Sequence, residues 1–165
     1  NSSGIPSLRL ARGSRFEIGS NFRMNNSRIG NYIGFRKCMF AIDSNAKILI
    51  GNNVGISSTM IVAHNSIEIQ DFVNIGADVK IFDTDFHSLN FRDRRDSKVD
   101  QINKRSAAIV IEHDVFIGTG SIILKGVRIG AHSIIAAGSV VTKSIPPNQI
   151  WGGNPAHYIK NCENI

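Results

Sequence analysis

Cysteine is scarce in this 165-residue chain, and neither Cys38 nor Cys162 belongs to a CxxC or Cys/His spacing. Two thiols are too few for a disulfide framework, and both read as structural filler. No window reaches the ~18 uninterrupted apolar residues of a membrane-spanning helix, and the opening stretch NSSGIPSLRLARGSR has no apolar signal-peptide core. A soluble, cytoplasmic protein is therefore expected. Acidic residues are in deficit: 19 Lys and Arg face 13 Asp and Glu, a formal charge of +6. An anionic partner follows from that balance, whether nucleic acid, acidic glycan or phosphorylated cofactor. Aromatic residues make up only 7% of the chain and are not interleaved with its basic run, which argues against a base-stacking surface and hence against nucleic acid. With 42% apolar residues, the length fits one domain over 1–165 with a real core.

What is present is a repeat. From Ile111 an aliphatic recurs every six positions, as Ile111, Ile117, Ile123, Ile129, Ile135 and Val141. Small or β-branched residues stand four further on at Val115, Ser121, Val127, Ser133, Ser139 and Ile145. The frame appears earlier as Ile50, Ile56 and Val62, and again as Ile69, Ile75 and Ile81, with a one-residue slip attributed to a corner insertion. A period of six suits a short strand followed by a sharp corner, so three such units close a triangular coil of about 18 residues. Gly51-Asn52-Asn53 and Gly76-Ala77-Asp78 supply corner residues. Ile18-Gly19, Ile29-Gly30 and Ile42-Asp43 repeat less regularly, so residues 1–28 read as irregular first coils of the same prism. Every aliphatic named here is core and carries no chemistry.

Between Ile81 and Ile109 the rhythm stops, and residues 83–107 read as a protruding loop. Arg92 to Arg105 holds six basic and three acidic residues. One reading is a solvated, self-neutralising arm; the other is a lid whose Arg92 and Arg94 meet a negatively charged sugar or phosphate. His87 sits where the chain leaves the prism, in Asp83-Thr84-Asp85-Phe86-His87. Imidazole titrates near pH ~6.5 and can take a proton from an alcohol, which makes His87 the best general base on offer. Asp83 or Asp85 could orient it. No two of the five histidines stand at the close sequence spacing of a zinc site, so no metal is expected.

The stretch GTGSIILKGVRIG over 118–130, then AAGSVVTK over 136–143, Ile145-Pro146-Pro147 and Gly153-Asn154-Pro155-Ala156, resembles the closing section of hexapeptide-repeat acetyltransferases. The resemblance covers roughly residues 29 to 160 and implies an all-β, left-handed parallel β-helix, a handedness the repeat alone does not give. It also implies a homotrimer, acetyl-CoA as co-substrate and a catalytic His at the start of the protruding loop. Asp85-x-His87, Gln101-Ile102-Asn103 and Val115-Phe116-Ile117-Gly118 look most like the branch that acetylates capsular and cell-surface polysaccharides. On that basis His87 deprotonates a sugar hydroxyl that attacks the thioester directly, with Asp85 orienting it and a backbone N–H at Gly118 or Thr119 meeting the oxyanion. Asp83, Phe116, Arg92 and Arg94 are the implied acceptor contacts. Thr119, Ala137, Thr142 and Lys143 are the implied cofactor contacts, with His157 and Lys160 near the phosphates on a tail over 154–165. Phe116 stands where the family often has Trp, and His157 where Lys or Arg is usual. An N-acetyltransferase of a nucleotide-linked amino sugar and a non-catalytic trimeric scaffold are the alternatives.

Overall fold

The computed structural model describes residues 3–26, 33 and 36–162. Within them the chain winds into a triangular parallel β-helix, left-handed as expected. Face I stacks β1 (Ser7–Leu10), β4 (Met39–Ile42), β7 (Met60–Ala63), β10 (Lys80–Phe82), β13 (Ile122–Ile123) and β16 (Val140–Val141). Face II stacks β2 (Arg15–Ile18), β5 (Lys47–Ile50), β8 (Ser66–Ile69), β11 (Ile109–Ile111) and β14 (Arg128–Ile129). Face III stacks β3 (Arg23–Asn25), β6 (Gly55–Ser57), β9 (Asn74–Ala77), β12 (Phe116–Ile117), β15 (Ile134–Ile135) and β17 (Gln149–Gly152). The chain then turns back as β18 (His157–Asn161), antiparallel to β17.

The six-residue period is this winding, because each unit crosses one face. The aliphatics from Ile111 to Val141 are all at most 1% exposed and stack by register, as Ile81 on Ile123 on Val141 and Ile75 on Ile117 on Ile135. The positions four further on are buried as well. Three of those are serines whose hydroxyls donate to main-chain carbonyls: Ser121 and Ser139 to Ala136 (3.1 and 2.6 Å) and Ser133 to Pro146 (2.8 Å). A buried hydroxyl so partnered keeps the inner corner narrow without an unpaired polar group.

Two readings of the sequence need correction. The axial residue of β7 is Ile61, fully buried against Ile81, whereas Val62 pairs with Phe82 and points outward. Ile61 stands five residues after Ile56 and eight before Ile69, so the frame is one residue short before that strand and two long after it. The first turn of the prism is also regular: Phe16 lies beside Ile48, Ile18 beside Ile50 and Met24 beside Ile56. Ile29-Gly30 lies outside the described residues, as do residues 1–2 and 163–165.

The edge between faces II and III is a column of left-handed residues. Asn21, Asn53, Phe72, Asp114, His132 and Asn148 have φ between 57° and 61°. Asn and Asp tolerate that conformation, which explains their frequency at the corners.

Candidate active site

Residues 83–107 leave the prism at the edge between faces I and II and fold into a compact unit. A single 3-10 turn (Asp93–Arg95) precedes α1 (Ser97–Asn103), whose N-terminus is capped by the Asp96 carboxylate through the amides of Lys98 and Val99 at 2.8 and 3.2 Å. Asp93 ties the unit together by accepting from Ser88 Oγ (2.7 Å) and Asn103 Nδ2 (2.9 Å). Arg94 donates to the Ser88 carbonyl at 2.6 Å. These bonds bring α1 over the start of the loop.

The result is a dyad that sequence spacing did not show. Asp100, on the inner side of α1 with its side chain only 8% exposed, accepts from His87 Nδ1 at 2.6 Å and from the Ser88 amide at 2.7 Å. Two donors hold both carboxylate oxygens, and the His87 contact keeps the Asp100 carboxyl below the usual carboxylate range. With its proton on Nδ1 facing Asp100, the imidazole directs Nε2 outward, and the ring is 65% exposed. That is the tautomer and orientation a general base requires.

Asp85 is not the orienting carboxylate. Its Oδ1 pairs with Lys125 Nζ at 2.7 Å, and its amide donates to the Arg105 carbonyl, so it anchors the loop to the prism. Asp83 is fully buried and accepts from the amides of His64 and Asn65 at 2.7 and 2.8 Å, with burial pushing its carboxyl up. It has no open face for a substrate. Arg94 is occupied inside the loop, while Arg92 lies with Arg95 on the Phe91 ring at 5.6 and 5.3 Å.

A column of small residues occupies a different edge, between faces III and I. Gly76, Gly118, Ala136 and Gly152 follow the aligned axial residues of successive coils there. A Cβ on Gly118 would lie 2.5 Å from Ala137 N, and one on Gly76 would lie 2.7 Å from Thr119 N. Gly118 is buried, and its amide donates to the Ile135 carbonyl at 2.8 Å in the coil ladder. That bond corrects the reading of Gly118 N–H as an oxyanion donor. The Thr119 and Ala137 amides make no main-chain bond among the described residues, and each residue follows one of the small residues of that column. Gly118→Ala is expected to lower stability by about 1–3 kcal/mol, because the coils must part to admit one methyl group. A thermal melt measures it.

Farther along this edge a hollow of about 520 Å³ is lined by Thr142, Lys143, Trp151, Pro155, His157 and Tyr158. Three of the expected cofactor contacts thus share one site. Lys160 lies beyond that lining on β18, opposite Ile150. Phe116 is 47% exposed on face III, beside Arg23, Gly55 and Asn74 in a second hollow. His87 and the small-residue column are on separate edges of the prism, so one chain alone does not bring them together.

Residues 108–143 match the bacterial transferase hexapeptide family (six repeats). A Schizosaccharomyces pombe protein classed as an acetyltransferase is 42% identical over 98 residues, covering 59% of this chain and 44% of its own. The chain thus spans under half the length of that relative. Among solved structures, a galactoside acetyltransferase in complex with coenzyme A is 30% identical over 90% of this chain and 66% of its own, with a TM-score of 0.68. A hexapeptide-repeat acetyltransferase of Vibrio cholerae, complexed with acetyl-CoA, is 26% identical over 94% of this chain and 72% of its own, at 0.62. With the period, the triangular winding and the interrupting loop all in place, the chain carries the hexapeptide repeat over 108–143 and is similar in fold to the hexapeptide-repeat acetyltransferases.

Proposed function

We propose that this protein transfers an acetyl group from acetyl-CoA to a sugar hydroxyl, of a cell-surface or capsular polysaccharide or its precursor, with His87 as general base. The observation that carries the proposal is the His87–Asp100 dyad, with Nε2 presented outward from a loop built to hold it. The galactoside and V. cholerae relatives support the choice of acceptor and donor. In this reading Nε2 takes the proton of the acceptor hydroxyl as its oxygen attacks the thioester carbonyl. The tetrahedral oxyanion collapses and expels the CoA thiolate, and the imidazolium returns the proton to that sulfur. Asp100 stabilises the imidazolium while it exists. In the same reading Thr119 N–H donates to the oxyanion.

Because His87 and the small-residue column occupy different edges, a complete site in this reading needs two chains, the edge of one prism facing the loop edge of the next. In a ring of three, the loop edge of every prism meets the edge between faces III and I of its neighbour. Sedimentation equilibrium is expected to give three times the 18.1 kDa chain mass, and a monomer at working concentration would remove this assembly. The acceptor class is tested by incubating the protein with acetyl-CoA and a panel of glycans, following thiol release and product mass. Acetylated amine in place of ester would move the assignment to an amino-sugar N-acetyltransferase.

In this reading Lys143, exposed at the 520 Å³ hollow, meets the phosphates of CoA. A partly desolvated charge-assisted contact contributes about 1.5–3 kcal/mol. Lys143→Ala should therefore raise the KM for acetyl-CoA by roughly tenfold or more while kcat hardly moves, as steady-state kinetics would show.

A further inference from the structure

The edge between faces II and III carries a cluster that the acetyl-transfer reading does not use. His113 and Asp114 close one coil there and His132 closes the next, so winding juxtaposes histidines that are far apart in sequence. Their rings lie 5.0 Å apart. Asp114 Oδ2 is 2.9 Å from His113 Nδ1 and 3.8 Å from His132 Nε2, and one ligand atom from each residue falls within 4.8 Å of the others. In a tetrahedral site with bonds of about 2.0–2.1 Å, neighbouring ligand atoms stand roughly 3.3 Å apart, a value these two distances bracket.

A second observation comes from the following coil. Asn148 Oδ1 lies 3.1 Å from His132 Nδ1, and an amide oxygen only accepts, so the His132 proton is on Nδ1. In the neutral imidazole Nε2 is then the nitrogen that offers a lone pair, and it faces the Asp114 carboxylate at 3.8 Å. A metal ion between Nε2 and Oδ2 would bond to both. An outer acceptor on a ligating imidazole is also how metal-bound histidines are held. Glu68 and Asp71 border the same side, in a hollow of about 770 Å³ next to His113 and Asp114. The basic groups nearby do not reach the cluster: Arg128 pairs with Glu112.

We propose that His113, Asp114 and His132 bind one divalent transition-metal ion of the Zn2+ class per chain, clamping two successive coils at an edge away from His87. Two imidazoles and a carboxylate suit zinc, nickel or copper better than calcium or magnesium, and solvent would complete the coordination. The site needs no part in acetyl transfer, and its test does not depend on that activity.

The test is calorimetric titration of the tag-free, chelator-treated protein with Zn2+, together with melting curves. One ion per chain is expected, and Zn2+ at about 100 times Kd should raise Tm by about 5 °C or more. His132→Asn keeps a residue that tolerates the left-handed backbone and should abolish both effects without lowering the metal-free Tm by more than a few degrees. Asn148→Ala, which touches no metal, should weaken binding by about 10-fold or more. Binding absent below ~1 mM Zn2+, or binding that His132→Asn leaves unchanged, overturns the proposal.

Discussion

His87→Ala is expected to lower turnover at least ~100-fold, the usual scale for removing a general base, with the circular dichroism spectrum unchanged and the melting temperature lowered only by the lost contact with Asp100. The ring is 65% exposed on a loop outside the axial core, so its loss opens no cavity. Asp100 separates this reading from a merely exposed histidine. Asp100→Asn keeps the volume but replaces one carboxylate oxygen with a donor, weakening the hold on His87 Nδ1 and the support for an imidazolium. Turnover should fall at least ~10-fold and the KM for acetyl-CoA should stay put. Asp85→Asn, which breaks only the contact with Lys125, should leave kcat within about threefold. The reverse ranking of Asp85 and Asp100 would restore the nearer carboxylate as the orienting group, and full activity in His87→Ala would remove the general-base assignment. The pH dependence has a definite sign. Because the His87 contact depresses the folded-state pKa of Asp100, its contribution to stability is fully present above the ordinary carboxylate pKa of ~3.9. It is lost as pH falls through the depressed value, so Asp100→Asn should flatten the acid limb of a melting-temperature profile.

What the sequence made legible and what it hid divide along physical lines. The axial ladder was readable because burial in a solenoid is periodic: Ile117, Ile123, Ile129 and Ile135 face inward for the same reason at every turn. Val62 was misplaced because the period breaks by one residue before β7 and two apolar neighbours, Ile61 and Val62, both fit a coarse pattern. His87 was found as the histidine at the point of exit. Its partner was hidden because Asp100 reaches it only through α1, placed by the Asp96 cap and the Asp93 contacts with Ser88 and Asn103. The run of alternating charges from 92 to 105 was therefore more than a count of positive charge, since its three acidic residues cap, brace and orient. Gly118 failed as an oxyanion donor for a related reason: an amide in register with the next coil already has an acceptor. The neighbouring Thr119 differs by one position along the same corner, a distinction of backbone geometry that residue type does not encode.

Ile123→Asp is expected to abolish folding. Ile123 is fully buried between Ile81 below and Val141 above, within an axis of aliphatic side chains. A carboxylate there would have no cation and no donor within the stack, and the effective cost of desolvating such a charge is several kcal/mol, to which the loss of an isoleucine adds roughly 2–5. Total stability for a domain is of order 5–15 kcal/mol, so the two terms consume most or all of it. Protonation would reduce the charge term, since burial raises a carboxyl pKa, but would leave the lost packing in place. The neighbouring residue provides the contrast. Ile122 belongs to the same strand but turns outward, half-buried beside Lys80 and Val140. A carboxylate at that position can meet water or the Lys80 ammonium. Ile122→Asp should therefore retain the β-sheet circular dichroism signal and a cooperative melt, while Ile123→Asp shows neither. Equal behaviour of the two would mean that the inward and outward positions of β13 have been interchanged, and with them the frame of the repeat.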